Sequence, residues 1–178
     1  MPDADEDMAV SGILASFTGC AGQRCMAASV LIAVGDSDRI VEKVAEHARR
    51  MTLGADMGAI ITRESVSRLE HAVTGAVEDG ATLLVDGRNP AGPAGCEDGY
   101  WFAPTIVDGV ASDSRAAKEE LFGPVLTVVR CETLSEALAI EQSSTYGNAA
   151  AVFTQSGAVA ERVAREASAG MVGVNVGV

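Results

Sequence analysis

Apolar runs of strand length alternate along the chain with stretches whose apolar residues recur at helical spacing, and this alternation restricts the fold most. Helices are predicted at 8–17, 36–51, 64–79, 135–143 and 158–167, with Asp36 as the N-cap of the second, and strands at 29–34, 83–85, 126–130, 149–154 and 171–176. Such alternation implies βαβ crossovers and a mainly parallel sheet with helices on both faces. Because no linker or internal repeat interrupts the pattern, residues 1–178 are predicted to form one α/β domain.

Charge and hydropathy exclude several classes of function. The 178 residues include 13 Lys and Arg against 25 Asp and Glu, which gives a net charge of −12 at pH 7. A surface this acidic repels phosphate groups and excludes binding to nucleic acids or anionic membranes. No apolar run approaches the roughly 18 residues that span a bilayer. Residues 2–7 are acidic where a secretion signal needs basic residues, so a cytoplasmic protein is expected.

Cys25 has the most informative surroundings of the four cysteines. It lies in the stretch Gly19–Ala27, where glycines let the backbone approach a ligand closely and the cationic Arg24 favours a thiolate. No C-x-x-C pair indicates a zinc or thioredoxin-type site, and no metal site is expected. From these residues alone, an activated nucleophile and a small buried cysteine in a Gly-rich turn are equally good interpretations.

Two motifs of the chain resemble those of the aldehyde dehydrogenase superfamily and occur in that family's order. The sequence GQRC at 22–25 resembles its nucleophile motif, and EELFGPV at 119–125 resembles the motif beside its nicotinamide site. The resemblance continues through 146–154 and 170–175 and covers nearly the whole chain. It is strongest toward the CoA-acylating methylmalonate-semialdehyde dehydrogenases, on Arg24, Met26, 84–88, 146–148 and 173–176. It implies the α/β fold of the family's catalytic domain.

The resemblance implies roles in the reaction for three residues. Cys25 matches the nucleophile that attacks the aldehyde carbonyl, and its backbone N–H forms part of the oxyanion hole. Hydride transfer to NAD then leaves a thioester, which is reactive enough to be passed to coenzyme A. Glu120 matches the carboxylate that hydrogen-bonds the nicotinamide ribose, and Phe122 matches the ring that lines the nicotinamide. Without the cysteine motif, Glu120 and Phe122 are interpreted as a surface acid and an anchoring aromatic residue.

Three further residues are implied to face the substrate. Arg24 matches a position that contacts the substrate carboxylate, which suits an always-charged guanidinium fork. An arginine paired with a nearby acid is the alternative. Asn175 and Val176 match a segment that borders the substrate pocket, with a buried strand end as the alternative. The implied reaction converts methylmalonate or malonate semialdehyde, with loss of CO₂, to propionyl-CoA or acetyl-CoA.

The family's dinucleotide-binding domain has no counterpart in this sequence. Residues 1–178 are therefore expected to be a catalytic domain truncated at both ends and inactive alone, from a homo-oligomeric protein that binds semialdehyde, NAD and coenzyme A. Two alternatives stay open: a hydrolytic aldehyde dehydrogenase of another substrate, and a non-catalytic α/β domain that binds partners. Fast alkylation of Cys25 relative to Cys20, Cys96 and Cys131 favours an enzyme.

Overall fold

The computed structural model describes all 178 residues, which form six helices and six strands. The helices are α1 Glu6–Thr18, α2 Asp38–Arg50, α3 Arg63–Glu78, α4 Arg115–Lys118, α5 Leu134–Gln142 and α6 Gly157–Glu166. The strands are β1 Val30–Val34, β2 Thr82–Val85, β3 Thr105–Asp108, β4 Val125–Cys131, β5 Ala149–Val152 and β6 Met171–Val174. None of the helices is both long and apolar enough to cross a bilayer.

The strands form two sheets. The first has the order β1-β4-β3-β2, in which β1, β4 and β3 run parallel and β2 is an antiparallel edge strand. The second is the parallel pair β5–β6. The predicted α/β class with mainly parallel pairing is therefore confirmed. The single sheet expected from the alternation is divided in two, because β1 and β5 make no backbone pairing with each other.

Helices cover both faces of the four-stranded sheet, as predicted. Alternate residues of a strand point to opposite faces, so Leu126 and Val128 of β4 pack with α1 and α2, while Val125 packs with α3 and α4. The β5–β6 pair has a much smaller core of its own, made by Leu138, Val152 and Val163.

The observed elements differ from the predicted ones in number and in several boundaries. Strand β3 and helix α4 were not predicted, because each has only four residues and the first three residues of β3 are all buried, which hides the alternation typical of a strand. Ser37 is the N-cap of α2 instead of Asp36. Gly35 has left-handed backbone (φ 55°), and its carbonyl accepts a hydrogen bond from the Ser37 N–H. This turn moves the N-cap one residue along the chain, from Asp36 to Ser37. The last strand ends at Val174, so Asn175 and Val176 lie beyond it.

The topology gathers the predicted site at one edge of the sheet. Strands β1 and β4 are parallel neighbours, so the loops that precede them, 23–29 and 119–124, lie at the same edge. These loops carry the two sequence motifs. The loop that precedes β5 reaches the same edge, since Asn148 contacts Cys25 there.

Candidate active site

A left-handed turn leads from α1 to the candidate nucleophile. Cys20, Ala21 and Gly22 have φ values of 52°, 54° and 68° in the short 3-10 segment Gly19–Gly22. Left-handed backbone costs a non-glycine residue about 1–2 kcal/mol. Packing must offset this cost, and Ala21 is indeed buried at 1 % exposure. Strained backbone of this kind is concentrated at functional sites.

A contact between two glycines joins the two sequence motifs. A Cβ on Gly22 would overlap the carbonyl group of Gly123, and a Cβ on Gly123 would overlap the side chain of Leu69 in α3. Only glycine lets the two backbones approach this closely. The turn that carries Cys25 and the loop that carries Glu120 are therefore packed against each other.

Cys25 is exposed on a tight turn. The Ala27 N–H donates to the Arg24 carbonyl at 3.0 Å and closes this turn. Gln23 fastens it to the neighbouring loop: its Oε1 accepts from the Ile61 N–H at 2.9 Å and its Nε2 donates to the Ala59 carbonyl at 3.1 Å. Asn148 Nδ2 donates to the Cys25 carbonyl at 2.9 Å. The main chain around the thiol is thus held while the thiol itself is free to react.

Arg24 braces the end of α1 in this structure. Its Nη2 donates to the carbonyls of Ala15, Ser16 and Val178 at 3.0, 3.3 and 3.0 Å. No carboxylate pairs with it, so the alternative of a local ion pair is not observed. Its Nε is buried and has no hydrogen-bond partner. The guanidinium lies over Gly19, where a Cβ would come within 3.1 Å of Nη2. Nη1 is the guanidinium nitrogen that remains for the predicted contact with a substrate carboxylate.

The two adjacent acids of the second motif have different environments. Glu119 accepts two hydrogen bonds of 2.8 Å from Arg115, which hold the pKa of this carboxyl below its usual range. Glu120 is exposed and has no side-chain partner. Only Glu120 is therefore free to bind a ligand.

Phe122 stands on the same loop as Glu120. The buried residue between them, Leu121, anchors the loop in the core at 4 % exposure, and Phe122 is exposed with a φ of 52°. Arg68 of α3 donates from Nη1 to the Leu121 carbonyl and fixes the loop from beneath. The Glu120 carboxylate and the Phe122 ring thus both protrude from a loop that Leu121 and Arg68 hold in place. A carboxylate can accept hydrogen bonds from the hydroxyl groups of a ribose, and an aromatic ring can pack against a flat base.

The segment after β6 returns to the nucleophile turn, residues 24–27, where Arg24 donates to the Val178 carbonyl. Asn175, at φ 56°, accepts on Oδ1 from the Thr154 N–H and donates from Nδ2 to the Thr154 carbonyl, both at 2.9 Å. Its side chain therefore continues the β5–β6 pairing by one step. Val176 is 56 % exposed. Of the two residues predicted to border the substrate pocket, Val176 has a free side chain and Asn175 serves the backbone.

A groove of about 540 Å³ opens between β1 and β5, and Cys25 lines it together with Glu120. The groove is mostly apolar, and Tyr146, Gly147 and Asn148 form part of its wall beside the thiol. The structure therefore brings Cys25 and Glu120 to one cavity. Asn175 and Val176 are not among the residues that line this cavity.

Three residues that hold the site were not among the predicted ones. Gln23 and Asn148 were noticed only as parts of motifs, and Arg68 carried no sequence signal at all. Each of them bonds the backbone of a residue 36 or more positions away. Sequence spacing does not reveal such contacts. Only the position of Gln23 and Asn148 inside the quoted motifs could have indicated them.

Comparison with known proteins identifies relatives along the full chain. The sequence model of the Aldehyde dehydrogenase family matches residues 1–178. The chain is 41 % identical to "Methylmalonate-semialdehyde dehydrogenase [acylating], mitochondrial" of Arabidopsis thaliana and 38 % identical to the human "Methylmalonate-semialdehyde/malonate-semialdehyde dehydrogenase [acylating], mitochondrial". Each match covers 99 % of this chain but 30 % and 34 % of the relative. The chain thus spans about a third of the length of these curated relatives.

Solved structures agree in fold. Methylmalonate-semialdehyde dehydrogenase from Oceanimonas doudoroffii superposes with a TM-score of 0.94 at 38 % identity, over 99 % of this chain and 38 % of that one. An NAD⁺ complex of aldehyde dehydrogenase from Bacillus cereus gives a TM-score of 0.91 at 28 % identity, over 100 % and 37 %. With the exposed Cys25 just after a strained turn and a family match from the first residue to the last, the chain belongs to the aldehyde dehydrogenase family.

Proposed function

We propose that this chain is the nucleophile-bearing catalytic domain of an NAD-dependent, CoA-acylating methylmalonate- or malonate-semialdehyde dehydrogenase. The observation that carries the proposal is Cys25, an exposed thiol on a main chain fixed by Gln23 and Asn148, in the same groove as Glu120. The curated relatives from Arabidopsis thaliana and human, both named as acylating semialdehyde dehydrogenases, support the substrate and the acylating reaction.

The chemistry follows from the position of the thiol. Its thiolate attacks the aldehyde carbon, a C–S bond forms, and the carbonyl oxygen takes the negative charge that the Cys25 N–H stabilises. NAD, when bound, supplies the acceptor for the hydride that the thiohemiacetal carbon loses. Cys25 then carries the acyl group as a thioester. The carboxylate of this acyl group leaves as CO₂, and its α-carbon takes a proton from water. The thiol of coenzyme A then loses its proton, attacks the thioester carbon and returns Cys25 to the free thiolate, which releases propionyl-CoA or acetyl-CoA.

Two residues would hold the nicotinamide half of NAD. Glu120 presents an unpaired carboxylate that can accept hydrogen bonds from ribose hydroxyls, and Phe122 presents an exposed ring two residues later. Leu121 and Arg68 keep the loop in place. We propose that Arg24 receives the substrate carboxylate through Nη1, the guanidinium nitrogen that bonds no carbonyl, because a charged guanidinium forms strong hydrogen bonds with carboxylates.

Competitive alkylation tests the nucleophile. Cys20, Cys25 and Cys96 are all exposed, so accessibility alone predicts similar rates with iodoacetamide at pH 7. We expect Cys25 to react at least about tenfold faster than Cys20 and Cys96, because it is the cysteine whose main chain Gln23 and Asn148 hold in place beside the groove. Cys131 should be slow, since burial raises the pKa of its thiol. Rates are followed by mass spectrometry of the labelled peptides. Similar, slow labelling of all exposed cysteines would sink the assignment.

The chain by itself is expected to be inactive as a dehydrogenase. Glu120 and Phe122 would contact only the nicotinamide half of NAD, and about two thirds of the length of each relative lies outside the matched region. Incubation with methylmalonate semialdehyde, NAD and coenzyme A should therefore produce no NADH absorbance. Any sustained NADH formation would refute this prediction. A cytoplasmic location stays a prediction, since both curated relatives are named as mitochondrial.

A further inference from the structure

Asn148 connects the second sheet to the nucleophile. It immediately precedes β5, and its Nδ2 donates to the Cys25 carbonyl at 2.9 Å across 123 residues of sequence. Its own main chain is fixed at the start of the β5–β6 pair, where its carbonyl accepts from the Met171 N–H at 3.2 Å. The adjacent Gly147 carbonyl accepts from the Gly170 N–H at 2.7 Å. The amide of Asn148 therefore reaches Cys25 from a main chain that is hydrogen-bonded into the β5–β6 pair.

The bond fixes the part of the nucleophile turn that other contacts leave free. Gln23 and Arg24 act before Cys25, and the Ala27 N–H bond only closes the turn. Without Asn148, the peptide between Cys25 and Met26 could rotate. A carbonyl that rotates toward the thiol would present its negative oxygen to the oxyanion that develops on the substrate, which opposes catalysis.

We propose that Asn148 is a positioning residue for Cys25: it holds the Cys25 carbonyl toward β5 and so leaves the thiol and the N–H of Cys25 arranged for acyl transfer. This inference rests on the proposed nucleophilic role of Cys25. It assigns Asn148 no contact with the substrate. This role requires a side chain with an N–H donor. The side chain must also be short, because the main chain of Asn148 is fixed close to the Cys25 carbonyl.

Two chemical probes separate positioning from simple loosening of the fold. In acylation by p-nitrophenyl acetate, the Cys25 thiolate attacks the ester carbon, an oxyanion forms, and p-nitrophenolate leaves as the thioester is made. Alkylation by iodoacetamide needs the same thiolate but forms no oxyanion. A residue that arranges the oxyanion site therefore affects the first reaction and largely spares the second.

The variants are Asn148→Ala, Asn148→Asp and the control Thr145→Ala. Asp keeps the shape of Asn but has no N–H donor at pH 7. Thr145 is exposed on the same loop and its hydroxyl has no hydrogen-bond partner. We expect both Asn148 variants to acylate Cys25 about fivefold more slowly, the effect of losing one hydrogen bond. Alkylation of Asn148→Ala should stay within about twofold, whereas the carboxylate of Asn148→Asp also disfavours the nearby thiolate and should slow both reactions. Thr145→Ala should match the parent chain in both reactions.

Two results would overturn the inference: acylation that is unchanged in both Asn148 variants, or acylation and alkylation that fall in parallel in Asn148→Ala. Failure of the proposed function is recognised separately, because Cys25→Ser would then leave acylation of the chain unchanged. In that case hydrogen exchange at Ala27 decides whether Asn148 positions the turn. Exchange about fivefold faster in Asn148→Ala supports it, and unchanged exchange refutes it.

Discussion

At the scale of single residues, the site depends on backbone conformations that most side chains do not tolerate. Cys20 and Ala21 occupy left-handed backbone, and Gly22 occupies it while touching Gly123. The turn persists because Ala21 is buried and the two glycines pack closely. The strain is therefore stored beside Cys25 and offset by packing against the loop of Glu120.

Gly22→Ala should be severely destabilising. The new methyl group would overlap the Gly123 carbonyl and would also sit on left-handed backbone, so we expect a loss of about 3 kcal/mol or more in the free energy of unfolding. Urea denaturation measures it. Gly75→Ala is the matched control, because a Cβ there meets nothing within 4 Å inside helix α3. It should gain about 0.5–1 kcal/mol. Equal effects of the two substitutions would contradict this account.

At the scale of elements, the sequence predicted what is local and missed what depends on neighbours. Helices α2 and α3 were predicted within about two residues, because their apolar residues recur at helical spacing. Strand β3 escaped because burial on both faces removes the alternation on which the prediction relies. The nucleophile at Cys25 was found from its motif, whereas the support from Arg68 and Asn148 depends on tertiary contacts.

Arg130 ties three elements together. From the end of β4 it donates to both carboxylate oxygens of Asp108 in β3, at 2.8 and 2.7 Å, and to Asp38 at the start of α2, at 2.5 Å. Burial of Asp108 alone would raise the pKa of its carboxyl. The bonds from Arg130 outweigh burial, so this pKa lies below its usual range. The Arg130 pKa is raised, mainly by the bond to Asp108, and the guanidinium stays charged.

This arrangement predicts a contribution to stability that acid removes. The Asp108 pKa is lower in the folded chain than in the unfolded one, where it lies near 4. The ion pair therefore contributes fully to the free energy of unfolding above the unfolded pKa. This contribution disappears as the pH falls through the folded pKa. Asp108→Asn should cost about 1–2 kcal/mol at pH 7, at the lower end because Arg130 is about a third exposed. The difference from the parent chain should shrink between about pH 5 and pH 2 in denaturation experiments. Asp98→Asn, at an exposed and unpaired carboxylate, is the control and should show no such trend. A difference that is independent of pH would exclude the ion pair as its cause.

At the scale of the whole molecule, the two sheets differ greatly in the cores that support them. Clusters of 15 and 12 buried residues cover the two faces of the four-stranded sheet, while a cluster of three serves the β5–β6 pair. The pair is joined to the rest of the molecule by Phe153, which packs against the larger core, and by individual polar contacts such as Asp3 to Thr154 and Asn148 to Cys25. Since buried apolar surface is the main source of stability, the second sheet should open more easily than the first.

Native-state hydrogen exchange measures the free energy of opening of each sheet. Two matched substitutions, one in each core, test whether the core of a sheet determines its opening. Amides of β4 should exchange only through global unfolding, whereas amides of β5 should exchange through a local opening of lower free energy. Val152→Ala removes two methyl-sized groups from the small core and should accelerate exchange in β5 and β6, with a cost of about 1–3 kcal/mol to the local opening and little change in β4. Val128→Ala makes the same change in the large core, at a residue with 0 % exposure, and should accelerate exchange in β4. If β4 and β5 instead exchange with the same opening free energy, and Val152→Ala shifts both equally, the two sheets unfold as one unit. Asn148 would then brace Cys25 from within that unit, and the nucleophile turn would open only when the whole molecule does.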